Sequence, residues 1–214
     1  MGTPATAGSR RRDGVTSRRI GRPYDHSGDS LILAATLDLL AERDYERVTL
    51  DEVAARTGKA KTTLYRRWPT KEELVLAAIR TAGRPPEAEL LPDRGSLRAD
   101  LLAVIDSSWL GGPQRRLAIF AGLTSATRSS QSLAEVVRAE VTEPYVQIYR
   151  RLLHRAIDRG EIAAACAASI PVLAEVIPAM STYRLHNGSE PADRAFFVSV
   201  VDDVVLAALR ATES

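Results

Sequence analysis

The first part of the chain carries a helical pattern of apolar residues. Residues at i, i+3, i+7 and i+8 share one face of an α-helix, and capping-type residues at 27–30 precede such a run here. Asp44 follows the run and can adopt the left-handed conformation that ends many helices. The pattern predicts a first helix that begins near 27–30 and ends near 43–45. Its buried face comprises Ile32, Ala35, Leu39 and Leu40.

More short helices are predicted next. Thr49 and Glu52 form a capping box, in which each side chain satisfies a backbone N–H of the other's turn, and the helix that follows ends at Gly58. A helix over 61–67 comes next, and a second Thr-x-x-Glu box opens a helix over 70–82. Two short helices joined by a tight glycine turn are typical of a helix-turn-helix, although a generic antiparallel helix pair shares the pattern.

The remaining apolar pattern is helical as well, so we expect an all-α fold. A linker rich in proline covers 85–95. Pro144, Pro171 and Pro178 stand inside helical patterns, where proline tends to kink or begin a helix. Bent helices around a core leave cavities, which makes these positions candidates for a pocket. The predicted helices cover about 96–109, 114–129, 131–159, 167–186 and 190–211.

Composition excludes several classes of protein. The single cysteine, Cys166, rules out a disulfide framework and any multi-cysteine metal site, which fits a reducing cytoplasm. The most apolar stretch, Ile162 to Ala174, is shorter than the ~20 residues that cross a bilayer. The charged N-terminus lacks the apolar segment of a secretory signal. We therefore expect a cytoplasmic protein with no membrane contact, no cofactor and no metal.

Charge is distributed unevenly along the chain. Residues 1–84 hold 16 basic and 11 acidic side chains, whereas 85–214 hold 13 and 16. Residues 1–22 alone carry six arginines and one aspartate, in a stretch rich in Gly, Ser, Thr and Pro that we interpret as a disordered basic arm over 1–27. A basic front half indicates a polyanionic partner, although a basic tail can serve solubility alone.

The predicted helix over 61–67 has an unusual exposed surface. Apart from its apolar residues, Leu64 and Trp68, it presents cations, hydroxyls and one phenol, with no acid among them. An exposed helix normally mixes both signs of charge, because opposite charges at i and i+4 stabilise it. A surface without that support favours an external anion, and DNA phosphates and base edges accept hydrogen bonds from such donors. A merely solvated basic helix is the alternative.

The residues of these short helices together match a known pattern. Thr49-Leu50-Asp51-Glu52-Val53-Ala54, then Gly58, then the run from Lys61 to Leu74 resemble the DNA-binding domain of TetR-type transcriptional regulators, most specifically between Leu64 and Leu74. The resemblance implies an all-α homodimer whose paired recognition helices enter successive major grooves. It also implies an N-terminal three-helix helix-turn-helix domain over 28–84 and a C-terminal helical ligand-binding and dimerisation domain over 85–214.

The resemblance assigns DNA contacts by position. Thr63 and Tyr65 correspond to base or phosphate contacts, and Lys71 to a phosphate contact at a helix N-terminus. Two residues depart from the family pattern. Ala60 replaces a capping Ser, which costs about 1 kcal/mol, and Lys59 replaces an apolar residue, so its stem must pack or its ammonium must bind a phosphate. The expected DNA-binding residues are Arg22, Thr49, Lys59, Lys61, Thr62, Thr63, Tyr65, Arg66 and Lys71.

Arg22 belongs to a separate contact, predicted for the arm. Ile20-Gly21-Arg22-Pro23 follows Arg18-Arg19, and a Gly-Arg-Pro unit can lie extended in a narrow minor groove. A flexible tail without a fixed role is the alternative.

The second half offers large side chains for a ligand pocket. Only 5% of the chain is aromatic, yet aromatic residues concentrate on the middle helices, which favours an apolar ligand. Arg150 and His154 add polar candidates. Ordinary core packing is the alternative for each of these residues. The ligand-binding candidates are Trp109, Phe120, Tyr145, Tyr149, Met180 and Tyr183.

The last two predicted helices are apolar over a wider surface than one core-facing stripe requires. Burial of that surface across a two-fold axis would form a four-helix dimer interface, and an internal core helix is the alternative. The apolar residues are Val172, Leu173, Val176, Ile177 and Met180 in one helix and Phe196, Phe197, Val200, Val201, Val204, Val205 and Leu209 in the other.

The sequence contains no enzyme motif that we recognise: a glycine-rich phosphate loop, a nucleophile elbow and a His-Glu metal motif are all missing. We therefore expect a homodimeric repressor that binds a pseudo-palindromic operator and is released by a small, largely apolar ligand. The fourth helix, 70–82, would transmit the change because it links both halves. A constitutive DNA-binding dimer without effector and a helical small-molecule carrier or enzyme are the alternatives, and activation is compatible with the same fold.

Overall fold

A computed structural model of the chain describes residues 26–82, 91–187 and 192–212, and every regular element in these ranges is helical. The all-α prediction is therefore confirmed for the described residues. Residues 1–25 of the predicted arm, Arg22 among them, lie outside these ranges, and the arm prediction is wrong for its last two residues, which begin the first helix. The N-terminal helices are α1 (His26–Glu42), α2 (Leu50–Thr57), α3 (Lys61–Arg67) and α4 (Lys71–Ala82). The later helices are α5 (Leu97–Ile105), α6 (Pro113–Ser129), α7 (Gln131–Val137), α8 (Glu143–Asp158), α9 (Ile170–Asn187), α10 (Arg194–Ser199) and α11 (Leu206–Thr212).

Short turns of other helical types separate several of these helices. Two of them divide patterns that the sequence predicts as single helices, because a π-helical turn joins α7 to α8 and another joins α10 to α11. The 3-10 turns cover Tyr45–Arg47, Trp109–Gly111 and Ala164–Ser169, and the π turns cover Arg138–Thr142 and Val200–Val205.

The apolar face predicted for α1 is the face that it buries. All four predicted residues are at most 5% exposed. Thr36 lies among them, and its hydroxyl donates to the carbonyl of Ile32 at 2.9 Å, so its polar group is satisfied inside the helix. The prediction for Asp44 is wrong. Asp44 is extended, with φ −66° and ψ 150°, because the chain continues into the Tyr45–Arg47 turn instead of reversing.

The helix-turn-helix forms as its local signals predict. The Glu52 N–H donates to Thr49 Oγ1 at 3.2 Å, and the Glu73 N–H donates to Thr70 Oγ1 at 3.2 Å. Gly58 ends α2 with φ 64°, a left-handed conformation that glycine adopts without steric cost. No side chain caps the start of α3, since alanine stands at that position. The turn at Gly58 lets α3 pack across α2 and present its outer face.

Two hydrophobic clusters organise the molecule. One combines the inner faces of α1 to α4 with Ile119, Leu123 and Ala126 of α6 and Leu133 of α7. The other gathers α5, α8, α9 and the last helices. The middle helices α6 and α7 therefore pack on the N-terminal helices, although they follow the linker in sequence.

At one point α6 touches α1 through the backbone itself. A Cβ atom added to Gly122 would lie 2.1 Å from the carbonyl oxygen of Leu40 and 2.8 Å from that of Arg43. Only glycine permits this approach, because such distances lie far inside van der Waals contact. Arg115 strengthens the junction by donating to Asp38 Oδ1 at 2.6 Å. The end of α1 and the middle of α6 are thus fixed to each other.

A buried carboxylate holds the start of α5 against α8. Asp100 is fully buried, and it accepts from the Arg94 N–H at 2.6 Å and from the Arg159 guanidinium at 3.0 Å. Glu161 accepts from the Leu97 N–H at 2.7 Å and from Arg159 at 2.9 Å. Since Leu97 begins α5, this network also satisfies one of the N–H groups that a helix start leaves without a partner.

One described segment, Ala164–Asn187, is long and apolar enough to cross a membrane by length and composition, with a mean hydropathy of 1.6. The sequence predicts a shorter apolar stretch that ends at Ala174, but the helix continues through Pro171 and Pro178. Only 28% of its most apolar window is buried. Much of this apolar surface therefore faces outward.

Candidate functional site

Leu64 fixes α3 on the N-terminal helices and sets which face of α3 is exposed. Leu64 is fully buried in the cluster that α1, α2 and α4 share. The residues around it face solvent: Lys61, Thr62, Tyr65 and Arg66 are exposed, and Thr63 is half-buried. The polar strip of α3 is thus presented on the surface, with its donors accessible to a partner.

An acidic residue of α2 faces this strip. Lys61 Nζ lies 2.5 Å from Asp51 Oδ2, and the Tyr65 hydroxyl donates to Asp51 Oδ1 at 3.4 Å. The hydrogen bond that Lys61 donates to Asp51 raises the pKa of Lys61. Arg66 has no such partner among the described residues. Spacing within one helix does not reveal this partner, because Asp51 lies ten positions before Lys61 and on another helix.

Arg67 does not belong to the exposed strip. Its guanidinium pairs with Asp29 of α1 and lies over the Trp68 ring, 5.4 Å from the centroid. Both partners of the ion pair are less than a quarter exposed. The expectation that the cations from Lys61 to Arg67 face one external anion is wrong at this residue. Arg67 stands three positions after Leu64, on the helix face that turns toward α1.

Other predicted DNA contacts already act within the N-terminal helices. The Lys71 ammonium donates to the carbonyls of Tyr45 at 2.9 Å and Glu46 at 3.3 Å, and it lies 4.2 Å from the centroid of the Tyr45 ring. Thr49 caps α2. Lys59 is half-buried, as expected if its stem packs. Lys71 and Thr49 therefore stabilise the helix-turn-helix at its edge, beside the exposed strip of α3.

A cavity of about 140 Å³ lies between α6, α8 and α9, with α5 and α10 at its margins. Its walls are mainly apolar, and hydroxyl-bearing side chains are spaced among the apolar ones. The lining residues are Ile105, Arg116, Leu117, Phe120, Leu123, Thr124, Thr127, Val137, Val141, Thr142, Tyr145, Tyr149, Ile177, Pro178, Ser181, Thr182, Leu185, His186 and Phe197.

Three of the six predicted ligand contacts line this cavity, namely Phe120, Tyr145 and Tyr149. Trp109 lies behind them, since its ring centroid is 5.4 Å from that of Tyr145 and 6.4 Å from that of Phe120. The aromatic residues that the sequence concentrates on the middle helices therefore form one continuous wall.

The other candidates lie outside the cavity. Met180 is 36% exposed and Tyr183 is 62% exposed, because α9 turns positions 177, 178, 181 and 182 toward the cavity and these two away from it. The polar candidates Arg150 and His154 do not line it either. Their side chains belong to other faces of α8.

Arg116 is a polar residue of the cavity lining that is absent from the candidates predicted from the sequence. It is 8% exposed, and its guanidinium donates to the carbonyl of Ile105 at 2.7 Å and to the carbonyl and hydroxyl of Ser107 at 3.4 and 3.3 Å. Its charge lies 5.9 and 5.8 Å from the ring centroids of Trp109 and Tyr145. The available signal was its place on the stripe of apolar residues in α6, three positions before a buried isoleucine.

Two phenols stand beside this arginine. The Tyr145 hydroxyl is buried without a hydrogen-bond partner among the described residues. Burial raises the pKa of Tyr145, against the opposing effects of the Arg116 charge and of the nearby Ser107 side chain, and burial raises the pKa of Tyr149 further. Both phenols are therefore neutral hydrogen-bond donors at neutral pH. The described residues contain no cluster of histidine, cysteine and carboxylate side chains that could hold a metal ion.

Two regions of the chain match known protein families. Residues 32–78 match the family described as bacterial regulatory proteins, tetR family, and residues 91–204 match the tetracyclin repressor-like C-terminal domain. The first region contains the helix-turn-helix, and the second contains every residue that lines the cavity.

Similar proteins carry names of the same kind. An uncharacterized HTH-type transcriptional regulator of Mycobacterium tuberculosis is 33% identical over 200 residues, which cover 92% of this chain and 96% of that protein. The DNA-binding transcriptional repressor TetR of Mycobacteroides abscessus is 34% identical over 185 residues, covering 84% and 92%. The crystal structure of TetR family transcription regulator SCO0332 is 27% identical, covers 84% of this chain and 97% of that chain, and gives a TM-score of 0.56.

Proposed function

The chain belongs to the TetR family of transcriptional regulators, and from this premise we propose that it is a homodimeric repressor released from a pseudo-palindromic operator by a small ligand. Members of this family bind DNA and dimerise, and they are regulators rather than enzymes. The observation that carries the proposal for this chain is the exposed donor strip of α3, held outward by the buried Leu64. Such a protein acts in the cytoplasm, where it meets DNA.

In this proposal α3 is the recognition helix. Thr62, Tyr65 and Arg66 offer hydroxyl and guanidinium donors to base edges and phosphates, and Lys61 joins them by exchanging Asp51 for a phosphate. Phosphate contacts position the protein on the duplex, whereas base contacts specify the sequence. The half-buried Thr63 completes the strip, and Thr49, Lys59, Lys71 and Arg22 supply the flanking backbone and minor-groove contacts.

The outward apolar surface of the last helices supports dimerisation there. Val172 is 69% exposed and Tyr183 is 62% exposed on α9, and Val204 is 42% exposed before α11. A contiguous exposed apolar patch marks an interaction surface, whereas single exposed apolar residues do not. Packing of these faces about a two-fold axis would bury them between two copies of the chain and set the distance between the two α3 helices.

The double variant Val172→Glu, Tyr183→Glu should sediment as a monomer at micromolar concentration, because it places charges in the proposed interface. Leu31→Glu is the matched control, since Leu31 is 51% exposed on α1, and it should leave the dimer intact. Analytical ultracentrifugation measures both. A dimeric double variant would place the interface elsewhere.

The cavity and the DNA-binding helices are joined by α6. Phe120 and Thr124 line the cavity on either side of Gly122, whose backbone contacts the end of α1. A ligand that displaces this part of α6 must therefore move α1. The fourth helix contributes a second junction, since Glu72 of α4 accepts from the Ser130 hydroxyl at 3.1 Å. Typical couplings of this kind amount to about 1–3 kcal/mol.

The cavity counts against a constitutive dimer without effector, for which a filled second core is expected. By function, we propose a DNA-binding part over 28–84 and a ligand-binding and dimerisation part over 85–214. Helix α6 belongs to the second part but packs on the helices of the first.

The operator can be found by selecting random duplex fragments with the purified dimer and sequencing those that bind. The proposal expects inverted half-sites whose centres lie about 34–36 Å apart, one helical turn of the duplex, or a multiple of it. The double variant Lys61→Ala, Arg66→Ala should bind the selected fragments more than tenfold more weakly than the native dimer does. Failure of the native dimer to enrich any sequence would favour the helical small-molecule carrier instead.

A further inference from the structure

The cavity holds a buried cation without a counter-ion. Arg116 is 8% exposed, and the acceptors of its guanidinium are two backbone carbonyls and one hydroxyl, all of them neutral. No carboxylate of the described residues pairs with it. Buried charges in proteins are normally paired, since removal of an ion from water is costly. Arg116 therefore lacks the anionic partner that a buried charge normally has.

The guanidinium also has hydrogen-bonding capacity to spare. It carries five N–H donors in a planar fork, and three hydrogen bonds to described residues are formed. The rings of Trp109 and Tyr145 face the charge at 5.9 and 5.8 Å, which supports the cation without accepting those donors. A planar carboxylate matches the spare donors, because Arg and carboxylate groups pair through two parallel hydrogen bonds.

A second unsatisfied donor lies beside Arg116. The Tyr145 hydroxyl is buried and forms no hydrogen bond of normal geometry with the described residues, the nearby Ser107 side chain included, although tyrosine hydroxyls normally find a partner when buried. Its ring is a neighbour of the Arg116 charge, and both residues line the cavity. The raised pKa of Tyr145 keeps this phenol protonated, so that it donates. The spare donors of Arg116 and the Tyr145 hydroxyl therefore lie together in the cavity lining.

The remainder of the lining defines the other end of the ligand. Leu117, Phe120, Val141, Ile177 and Phe197 supply apolar walls, and the lining contains no aspartate or glutamate. A cationic ligand would meet Arg116 without a compensating acid. A wholly apolar ligand would leave the guanidinium and the phenol unsatisfied. An anionic head on an apolar body satisfies both parts of the lining.

We infer that the ligand of this cavity is an amphipathic carboxylate, whose carboxylate pairs with Arg116 and accepts from the Tyr145 hydroxyl while its apolar body lies between α6, α8 and α9. This inference rests on the proposed function, because it names the class of effector for the same cavity. It replaces the sequence-based expectation of a largely apolar ligand without a defined polar group.

A purely structural role for Arg116 makes different predictions. Ile105 ends α5 and Ser107 follows it, so Arg116 also satisfies carbonyls at the negative end of that helix. Such a cap explains the three hydrogen bonds but not the unpartnered Tyr145 hydroxyl. It also predicts no preference among ligands by head-group charge, which is measurable.

The test is titration calorimetry of the full-length dimer with matched ligands that differ in head group. The probes are decanoate, 1-decanol and decylammonium, together with 4-butylbenzoate and 4-butylbenzamide, each below its micelle concentration. We expect each carboxylate to bind at least tenfold more tightly than its neutral counterpart, and decylammonium to bind most weakly. Equal affinity of acid and neutral probe, or no binding of either carboxylate, would overturn the inference.

Tyr145→Phe separates ligand recognition from folding. The variant removes only a hydroxyl without a partner, so the melting temperature should stay the same or rise, while decanoate affinity falls about tenfold, as for a lost hydrogen bond to a charged group. An unchanged decanoate affinity would remove Tyr145 from the carboxylate site.

Arg116→Met keeps an apolar stem of similar length and removes the charge. It should abolish the preference of decanoate over 1-decanol even if it lowers the melting temperature. Arg115→Met is the matched control, because Arg115 precedes it on α6 but pairs with Asp38 outside the cavity lining, and the preference should persist. A preference that survives in Arg116→Met contradicts the inference.

Operator binding, measured by fluorescence anisotropy without and with ligand, distinguishes a failure of the inferred ligand class from a failure of the proposed function. If decanoate binds with the expected preference and the operator is not released, the ligand class stands and the proposed release fails. If the operator is bound and the carboxylates show no preference, the repressor role stands and the ligand class fails.

Discussion

The two functional regions of the molecule treat positive charge in opposite ways. On α3, Lys61 is 63% exposed and pairs with the half-exposed Asp51, whereas Arg116 in the cavity is 8% exposed and has only neutral acceptors. Water and salt screen the exposed pair, and such pairs contribute about 0–1 kcal/mol. Lys61 can therefore exchange Asp51 for a phosphate at little cost. The buried Arg116 needs an anionic partner, because its neutral acceptors do not balance its charge. Such a requirement suits a selective ligand site.

The carboxylates show the same contrast. Asp51 lies in solvent beside α3, while Asp100 is fully buried among Arg94, Arg159 and the start of α5. The exposed carboxylate lies beside the proposed DNA-binding surface, and the buried one holds the second half of the protein together. Four predictions test this difference, and they are ordered from the largest expected effect to the smallest.

Asp100→Ala should lower the free energy of unfolding by about 3–5 kcal/mol, the usual cost of removing one partner from a buried ion pair. The substitution leaves Arg159 without its buried partner and the Arg94 N–H without an acceptor. Urea denaturation measures the loss. Asp51→Ala is the exposed counterpart and should cost less than about 1 kcal/mol. Similar losses for both variants would remove the distinction between the two regions.

Gly122→Ala should lower the free energy of unfolding by about 1–3 kcal/mol, the range for overpacking a tight contact. The added Cβ would lie 2.1 Å from the Leu40 carbonyl, so α6 must shift away from α1. Ala121→Ser changes the neighbouring exposed residue and should stay within about 0.5 kcal/mol. If Gly122→Ala unfolds at the same urea concentration as the native chain, the backbone contact is not a rigid junction.

Arg66→Ala should weaken operator binding by about tenfold, and Lys61→Ala should weaken it less. Arg66 has no partner among the described residues, whereas Lys61 must leave Asp51 before it binds a phosphate. Each lost phosphate contact also lowers the slope of log affinity against log salt by about 0.9. Anisotropy titrations at several salt concentrations give both quantities. A larger effect at Lys61 would mean that Asp51 orients this lysine for DNA rather than competing for it.

Asp51→Asn should strengthen operator binding by a few-fold, since it removes a negative charge that lies beside the recognition helix and occupies Lys61. Glu42→Gln is the matched control, because Glu42 forms an ion pair with Arg56 of α2 rather than with α3. The control should leave affinity unchanged in the same anisotropy assay. Weaker binding by Asp51→Asn would show that this carboxylate positions α3.

The sequence predicts the N-terminal region better because its signals are local. The capping boxes at Thr49 and Thr70 and the left-handed Gly58 each depend on residues within a few positions, and the structure contains all three. The prediction of a left-handed Asp44 was wrong because the chain continues from the helix directly into a 3-10 turn. The prediction that Arg67 faces an external anion was wrong because its partner, Asp29, is 38 positions away in the sequence.

The second region depends on contacts between distant helices, and sequence spacing does not reveal these. Residue type was enough to propose Phe120, Tyr145 and Tyr149, which line the cavity. It did not show that Met180 and Tyr183 face away from the cavity, because the start and phase of α9 cannot be read from residue type. Arg116 stood on the apolar stripe of α6, where a helical period could have marked it as buried. Its missing counter-ion is visible only once the neighbouring helices are in place.

The most direct test of the account is to map where α3 meets the duplex. Cys166, the single cysteine of the chain, is buried, so a Thr62→Cys variant can be labelled selectively with an iron chelate that cleaves nearby DNA. We predict cleavage at two places in the selected operator, with centres about 34–36 Å apart or a multiple of that distance. The same label at Thr212→Cys, at the end of α11, should cleave nothing. Uniform or absent cleavage from Thr62→Cys on bound operator would contradict the assignment of α3 as the recognition helix.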